Sequence, residues 1–149
     1  MLVKMYPEQV AKSWDILSYG IQQTLPPITY QSPKRMEKIL ESLLSKDLVL
    51  WLGVDDDNKV QGLIVTSMVY EKNSDVKDLL IYSLYGFNNI PYRMIIEGMD
   101  TLKVYANSIG CKRITAYSNV KSIIKLMKKF GSAEYTYLSI PANGEDYEN

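Results

Sequence analysis

The chain has 149 residues, 46% of them hydrophobic and 23% charged, and its 17 basic side chains balance 17 acidic ones. That is enough chain for one domain with a proper core, and zero net charge gives no general argument for nucleic acid or an anionic membrane. There is no histidine and a single cysteine, Cys111. This excludes His acid–base chemistry, Ser–His and Cys–His pairs, His or Cys zinc sites and an internal disulfide.

Leu2 to Met5 reads as a short first strand. Pro7 suits the first turn of a helix, and Val10, Trp14, Leu17 and Ile21 recur at helical spacing up to Pro26-Pro27. Ser32-Pro33 reads as an N-cap with Pro at the first helical position. Met36, Ile39, Leu40, Leu43 and Leu44 give the following helix an apolar stripe. Three strands come next: LVLWLGV (48–54), VQGLIVTSMVY (60–70) and VKDLLIYSLY (76–85), joined by the turns DDDNK and EKNSD. They predict an antiparallel meander, with Gly62 marking a bulge. DDDNK lacks the spacing of a calcium loop and reads as a hairpin turn.

A helix over 92–109 carries Ile95, Met99, Leu102, Ala106 and Ile109 on one side, with Gly110 as its C′ residue. CKRITAY (111–117) is a short strand. Asn119 caps a helix whose buried side is Val120, Ile123, Ile124 and Met127, ended by Gly131. AEYTYLSI (133–140) alternates as a last strand. The expected order is β-α-α-β-β-β-α-β-α-β. Residues 1–141 form one α/β domain, with a mixed β-sheet of an antiparallel meander plus one parallel pair and helices on both faces. Residues 142–149 are an acidic flexible tail. The N-terminus does not read as a signal peptide, and no window approaches the ~20 apolar residues of a membrane span.

The stretch LYGFNNIPYRM (84–94) runs from a strand into a helix N-terminus, at the carboxyl end of the first strand of the parallel pair. Open α/β sheets tend to bind ligands there, and a helix N-terminus favours an anion. Lys121, Lys125, Lys128 and Lys129 lie on the polar side of one helix, with Lys112 and Arg113 near in sequence. A solvated face is preferred to a nucleic-acid surface. The chain's 12 tyrosines are read mainly as sheet and core packing. Cys111 reads as a small buried hydrophobe.

This order resembles that of the GNAT acetyltransferases. DNKVQGLIVTSMVYE looks like the family's hairpin, and SNVKSIIKLMKKFGSAEY looks like its late helix feeding the last strand. A narrower resemblance is to GNAT-like proteins of tailed bacteriophages, carried by Trp51 in the strand after the second helix and by Gly110-Cys111 after the central helix. The superfamily resemblance implies acetyl-CoA as cofactor, held by its pyrophosphate ahead of the central helix. The family loop is rich in small residues there. FNNIPYRM is not, and Pro91 lacks an N–H. Asn88, Asn89, Tyr92 and Arg93 are the side chains able to replace lost amide contacts, and Asn119 fits a family Asn after the parallel strand. Plain connection is the preferred reading of the loop.

Many of these enzymes place a Tyr four residues before the Gly that closes the late helix. That position is Met127, which cannot donate a proton, so Tyr117, Tyr135 and Tyr137 become the substitutes. Asp78 and Glu71 are the nearest candidates for a base. Two functions follow. The first is a phage-type protein with a degenerate acetyl-CoA site that binds phage or virion proteins, in the virion or the host cytoplasm. The alternative is a working acetyl-CoA-dependent N-acetyltransferase acting on an amine. No membrane is implied in either case.

Overall fold

The structure, a computed structural model, describes residues 1–26, 29 and 32–143. Its elements in chain order are β1 (Leu2–Lys4), α1 (Pro7–Lys12), α2 (Trp14–Gln23), α3 (Arg35–Leu44), β2 (Leu48–Val54), β3 (Val60–Glu71), β4 (Val76–Gly86), α4 (Tyr92–Ser108), β5 (Cys111–Ala116) and α5 (Lys121–Lys129). The chain divides into two compact units, residues 1–117 and 118–149.

The first unit is built on one sheet with strand order β1-β2-β3-β4-β5. β1 through β4 are mutually antiparallel, and β4 pairs β5 in parallel. This is the mixed sheet the pattern predicts. Alternation divides its side chains between two layers. Leu48, Leu50, Leu63 and Val65 pack with Val10 of α1, Leu17 and Ile21 of α2, and Ile39 and Leu43 of α3. Burying each such aliphatic chain contributes roughly 2 kcal/mol. Trp51, one position out of phase with Leu50, sets its ring edge-on to Tyr105 of α4, with centroids 4.9 Å apart. Met99, Leu102 and Ala106 are the buried residues of α4. The helices therefore flank both faces of the sheet.

Trp51 also donates its indole N–H to Thr66 Oγ1 at 3.0 Å, inside the sheet. Thr66→Val keeps the shape and removes the acceptor. The expected loss is about 1–3 kcal/mol in urea unfolding, because the N–H stays buried without a partner.

Several boundaries depart from the pattern. The first helix is two helices, broken at Ser13, whose φ of −111° and ψ of 16° leave the helical region. The N-cap of α3 is Lys34, not Ser32. Ser32 Oγ instead accepts weakly from the Lys34 N–H at 3.4 Å, so Ser32-Pro33 forms a turn before the helix. The bulge expected at Gly62 falls on its neighbour. Gly53 pairs Gly62 and Val54 pairs Val60, which leaves Gln61 as the extra residue. Gly110 takes φ of +80°, the left-handed backbone expected of it.

The second unit holds α5. Its N-cap is Val120, not Asn119, and Ser118 Oγ accepts the Val120 N–H at 3.1 Å. None of its residues is fully buried; Ile123, Ile124 and Met127 are half-buried and Val120 is exposed. Gly131 follows with φ of +85°. Residues 133–140 form no strand, against expectation, and they are exposed. Alternation supplies strand propensity, but a strand also needs a neighbouring edge to bond to. Pro27 and the end of the expected tail, from residue 144 on, lie outside the described residues.

Candidate functional site

β4 and β5 are paired only from Lys77–Cys111 to Ile81–Ala116. β4 then runs on for five residues, Tyr82 to Gly86, while β5 has ended. On its other side β4 stays paired with β3 up to Gly86–Gly62. Backbone groups of Tyr82–Gly86 therefore face an opening on the β5 side, where no strand pairs with them among the described residues. Tyr82 is also a bulge: Val65 pairs Ser83 and Thr66 pairs Ile81, so Tyr82 has no opposite residue. A bulge bends the strand and re-aims its amides.

The opening leads straight into the loop 87–91 and the first turn of α4. Pro91 is the N-cap, with φ −58° and ψ 142°, and its carbonyl accepts the Met94 and Ile95 amides. Pro91 thus stands outside the helix, and its missing N–H is not one of the helix's first-turn donors. The amides of Tyr92 and Arg93, which precede the first intrahelical bond, survive.

The loop is tied to the β2–β3 hairpin. Phe87 donates its N–H to the Gln61 carbonyl at 2.8 Å. Asn88 donates weakly to Gln61 Oε1 at 3.4 Å, and Gln61 donates to Asp55 Oδ2 at 2.8 Å. Asp55 also accepts the amides of Asp57 and Lys59. The Lys59 amide is the foremost cause that holds its carboxyl below the usual range. DDDNK is therefore a hairpin turn that Asp55 closes itself, with Asn58 in left-handed backbone at φ 60°. Arg93 lies 3.6 Å from Asp56, and both side chains are largely exposed, at 71% and 94%.

The structure thus brings Asn88, Asn89, Tyr92 and Arg93 together on one loop and helix start beside the opening. Asn119 belongs to the second unit, in the turn before α5. Tyr117 directly follows Ala116, the last β5 residue paired with β4, and so stands at the mouth of the opening. Tyr135 and Tyr137 lie exposed in the second unit.

Neither expected base is suited to the role. Asp78 is gripped by Arg113 through two bonds of 2.9 and 2.8 Å, and it sits on the paired half of β4, four residues before Tyr82. Glu71 is held below its usual range by the Ser74 hydroxyl and amide at the β3–β4 hairpin. Cys111 is buried, which raises its thiol above the ordinary value and suits an inert core residue.

Sequence reasoning missed Tyr82. Its bulge leaves no signature in alternation, because the apolar run LLIY reads through it. Tyr82 also borders a groove of about 420 Å³ lined by Arg35, Lys38, Ile39 and Ser42. A second groove, of about 660 Å³ by Lys77, Leu79 and Tyr105, lies along the paired half of β4, away from the opening.

Solved structures match nearly the whole chain. A crystal structure described as a "probable acetyltransferase" matches with a TM-score of 0.71 over 99% of both chains, at 15% identity. A "predicted acetyltransferase with acetyl-CoA" from Clostridium acetobutylicum matches at 0.69 over 99% of both chains, also at 15% identity. The ribosomal-protein-alanine N-acetyltransferase of Brucella melitensis matches at 0.64, covering 95% of this chain and 97% of its own, at 11% identity. No family model and no curated protein matches the sequence. No helix among the described residues is long and apolar enough to cross a membrane. Strand order, the single parallel pair, the opening beyond it and these matches agree: the chain has the fold of the GNAT acetyltransferases.

Proposed function

We propose that the protein is an acetyl-CoA-dependent N-acetyltransferase. The observation that carries this reading is the end of β4, Tyr82–Gly86, which stays paired with β3 but has no strand partner on its β5 side among the described residues and leads on through the loop 87–91 to the first turn of α4. A row of free backbone donors and acceptors suits the amide-bearing arm of the cofactor, and the helix start suits its pyrophosphate. Asn88, Asn89, Tyr92 and Arg93 would hold the phosphate end. Acetyl-CoA supplies an activated acetyl thioester.

The chain's own contribution is positioning and polarisation. Backbone N–H groups near the Tyr82 bulge and along Leu84–Gly86 would polarise a carbonyl placed in the opening. Tyr117 offers a hydroxyl at its mouth, the role Met127 cannot fill. The groove beside Tyr82 is the acceptor's approach; Arg35 and Lys38 on its wall suit an anionic group, and Asp47 on the same wall suits the amine's ammonium form. With no histidine and both candidate carboxylates engaged elsewhere, the ammonium would give its proton to water before the free amine attacks.

The narrower resemblance to tailed-phage proteins, with virion partners and a degenerate site, gains nothing from the solved matches. The intact first turn of α4 favours the enzyme. Isothermal titration with acetyl-CoA and CoA tests the reading. Micromolar binding of both is expected. Absence of heat, together with no thermal stabilisation at millimolar ligand, overturns it.

A further inference from the structure

The loop 87–91 is held from outside itself. Among the described residues no hydrogen bond joins two of its members. The bonds that its first two residues donate both end on one residue of β3, Gln61. The Phe87 N–H reaches the Gln61 carbonyl at 2.8 Å, and the Asn88 side-chain amide reaches Gln61 Oε1 at 3.4 Å. Ile90 adds an apolar contact. Its side chain lies over Gly62 and Gly86, 3.1 and 3.4 Å from where a Cβ would stand on each.

Gln61 is the bulged residue of β3 and is half-buried. Its orientation is dictated from the hairpin turn. Asp55 Oδ1 accepts the Asp57 and Lys59 amides, both at 2.9 Å, and Oδ2 accepts Gln61 Nε2 at 2.8 Å. These bonds, the one from the Lys59 amide foremost, keep the Asp55 carboxyl below its usual range and so ionised. An ionised carboxylate only accepts. Gln61 must therefore turn its NH2 to Asp55 and its oxygen to the loop.

We infer that Gln61 is a positioning residue for the phosphate end of the cofactor, acting through the loop 87–91; the inference rests on the function proposed above. Asp55 orients Gln61, and Gln61 fixes Phe87 and Asn88. The loop so fixed presents the amides of Asn88, Asn89 and Ile90, which have no acceptor among the described residues, beside the first turn of α4. A loop already held in its binding shape loses less freedom when an anion arrives, so the order that Gln61 imposes appears as affinity for the phosphates alone.

Gln61→Met tests this, because it keeps the stem and the backbone bond to Phe87 and removes the side-chain amide. Two probes are titrated, CoA by calorimetry and pantetheine, which lacks the phosphates, by NMR. The variant is expected to bind CoA about tenfold more weakly and pantetheine within about twofold of the wild type. In the ligand-free variant, backbone order parameters at residues 88–90 are expected to fall below about 0.6, the flexible range, with an unchanged circular dichroism spectrum. Wild-type affinity for CoA in Gln61→Met overturns the inference, as do unchanged order parameters. An equal loss for both probes also overturns it, since that marks a general disturbance of the fold. A wild type that binds neither probe overturns the proposed function, and this role falls with it.

Discussion

Gly62→Ala lowers the unfolding free energy by about 2 kcal/mol, while Gly98→Ala raises it by up to about 1 kcal/mol. The contrast rests on what a methyl group would meet. At Gly62 an added Cβ lies 2.7 Å from the Tyr85 carbonyl oxygen and 3.1 Å from Ile90 Cδ1. The oxygen belongs to the backbone of β4, which cannot turn aside as a side chain can. The β3–β4 ladder must spread where it pairs Gly62 with Gly86. That strain outweighs the gain from a stiffer unfolded chain, which is only about 0.4–1 kcal/mol. Gly98 lies inside α4 with nothing within 4 Å of its added Cβ, so there the gain acts unopposed. Urea unfolding of both variants measures the difference. The Gly62 change should also reach function, since the spread falls where β4 opens and the loop to α4 begins. Unchanged stability in Gly62→Ala would mean that the two strands are looser there than their register implies.

Much of this architecture is legible in the residues alone. The meander over 48–86 is announced by apolar runs between turn clusters, and Gly110 marks the end of α4, because such signals are local. What escapes the reading is set by tertiary pairing. Nothing in LLIYSLYG says that β5 stops at Ala116 while β4 continues, yet that mismatch creates the opening. Tyr82 is extra only relative to β3, a strand that ends eleven residues before it in the chain. Ser32 and Asn119 look like caps, but the caps are Lys34 and Val120, two residues and one residue further on, and neither caps with its side chain, so side-chain capping chemistry does not set these boundaries. For 133–140 the alternation is real and the partner strand is missing. That the loop 87–91 joins a strand end to a helix start was legible. The placement of Pro91 just outside the helix was not, because one residue either way leaves the sequence pattern unchanged.

Reversing the charge at Arg93 should reduce acetyl-CoA affinity by about 100-fold, while neutralising Asp56 should improve it about threefold. Both expectations rest on the proposed function and on one ion pair. Arg93 and Asp56 sit 3.6 Å apart and are largely exposed, so solvent screens their attraction and the pair opens readily. A pyrophosphate at the start of α4 would offer Arg93 a stronger, doubly charged partner, reinforced by the amides of the helix's first turn. Asp56 opposes this twice, by holding Arg93 back and by repelling the incoming anion. Asp56→Asn removes both effects and leaves the Asp55 bonds that close the hairpin in place. Arg93→Glu removes the grip and adds a repulsion of its own, which accounts for the larger change. Titration calorimetry at low and high salt separates charge from shape, since only the charge-dependent part shrinks with ionic strength. If Arg93→Glu binds acetyl-CoA as the wild type does, the phosphates do not sit at this loop. The backbone edge of Tyr82–Gly86 would then have to carry recognition alone.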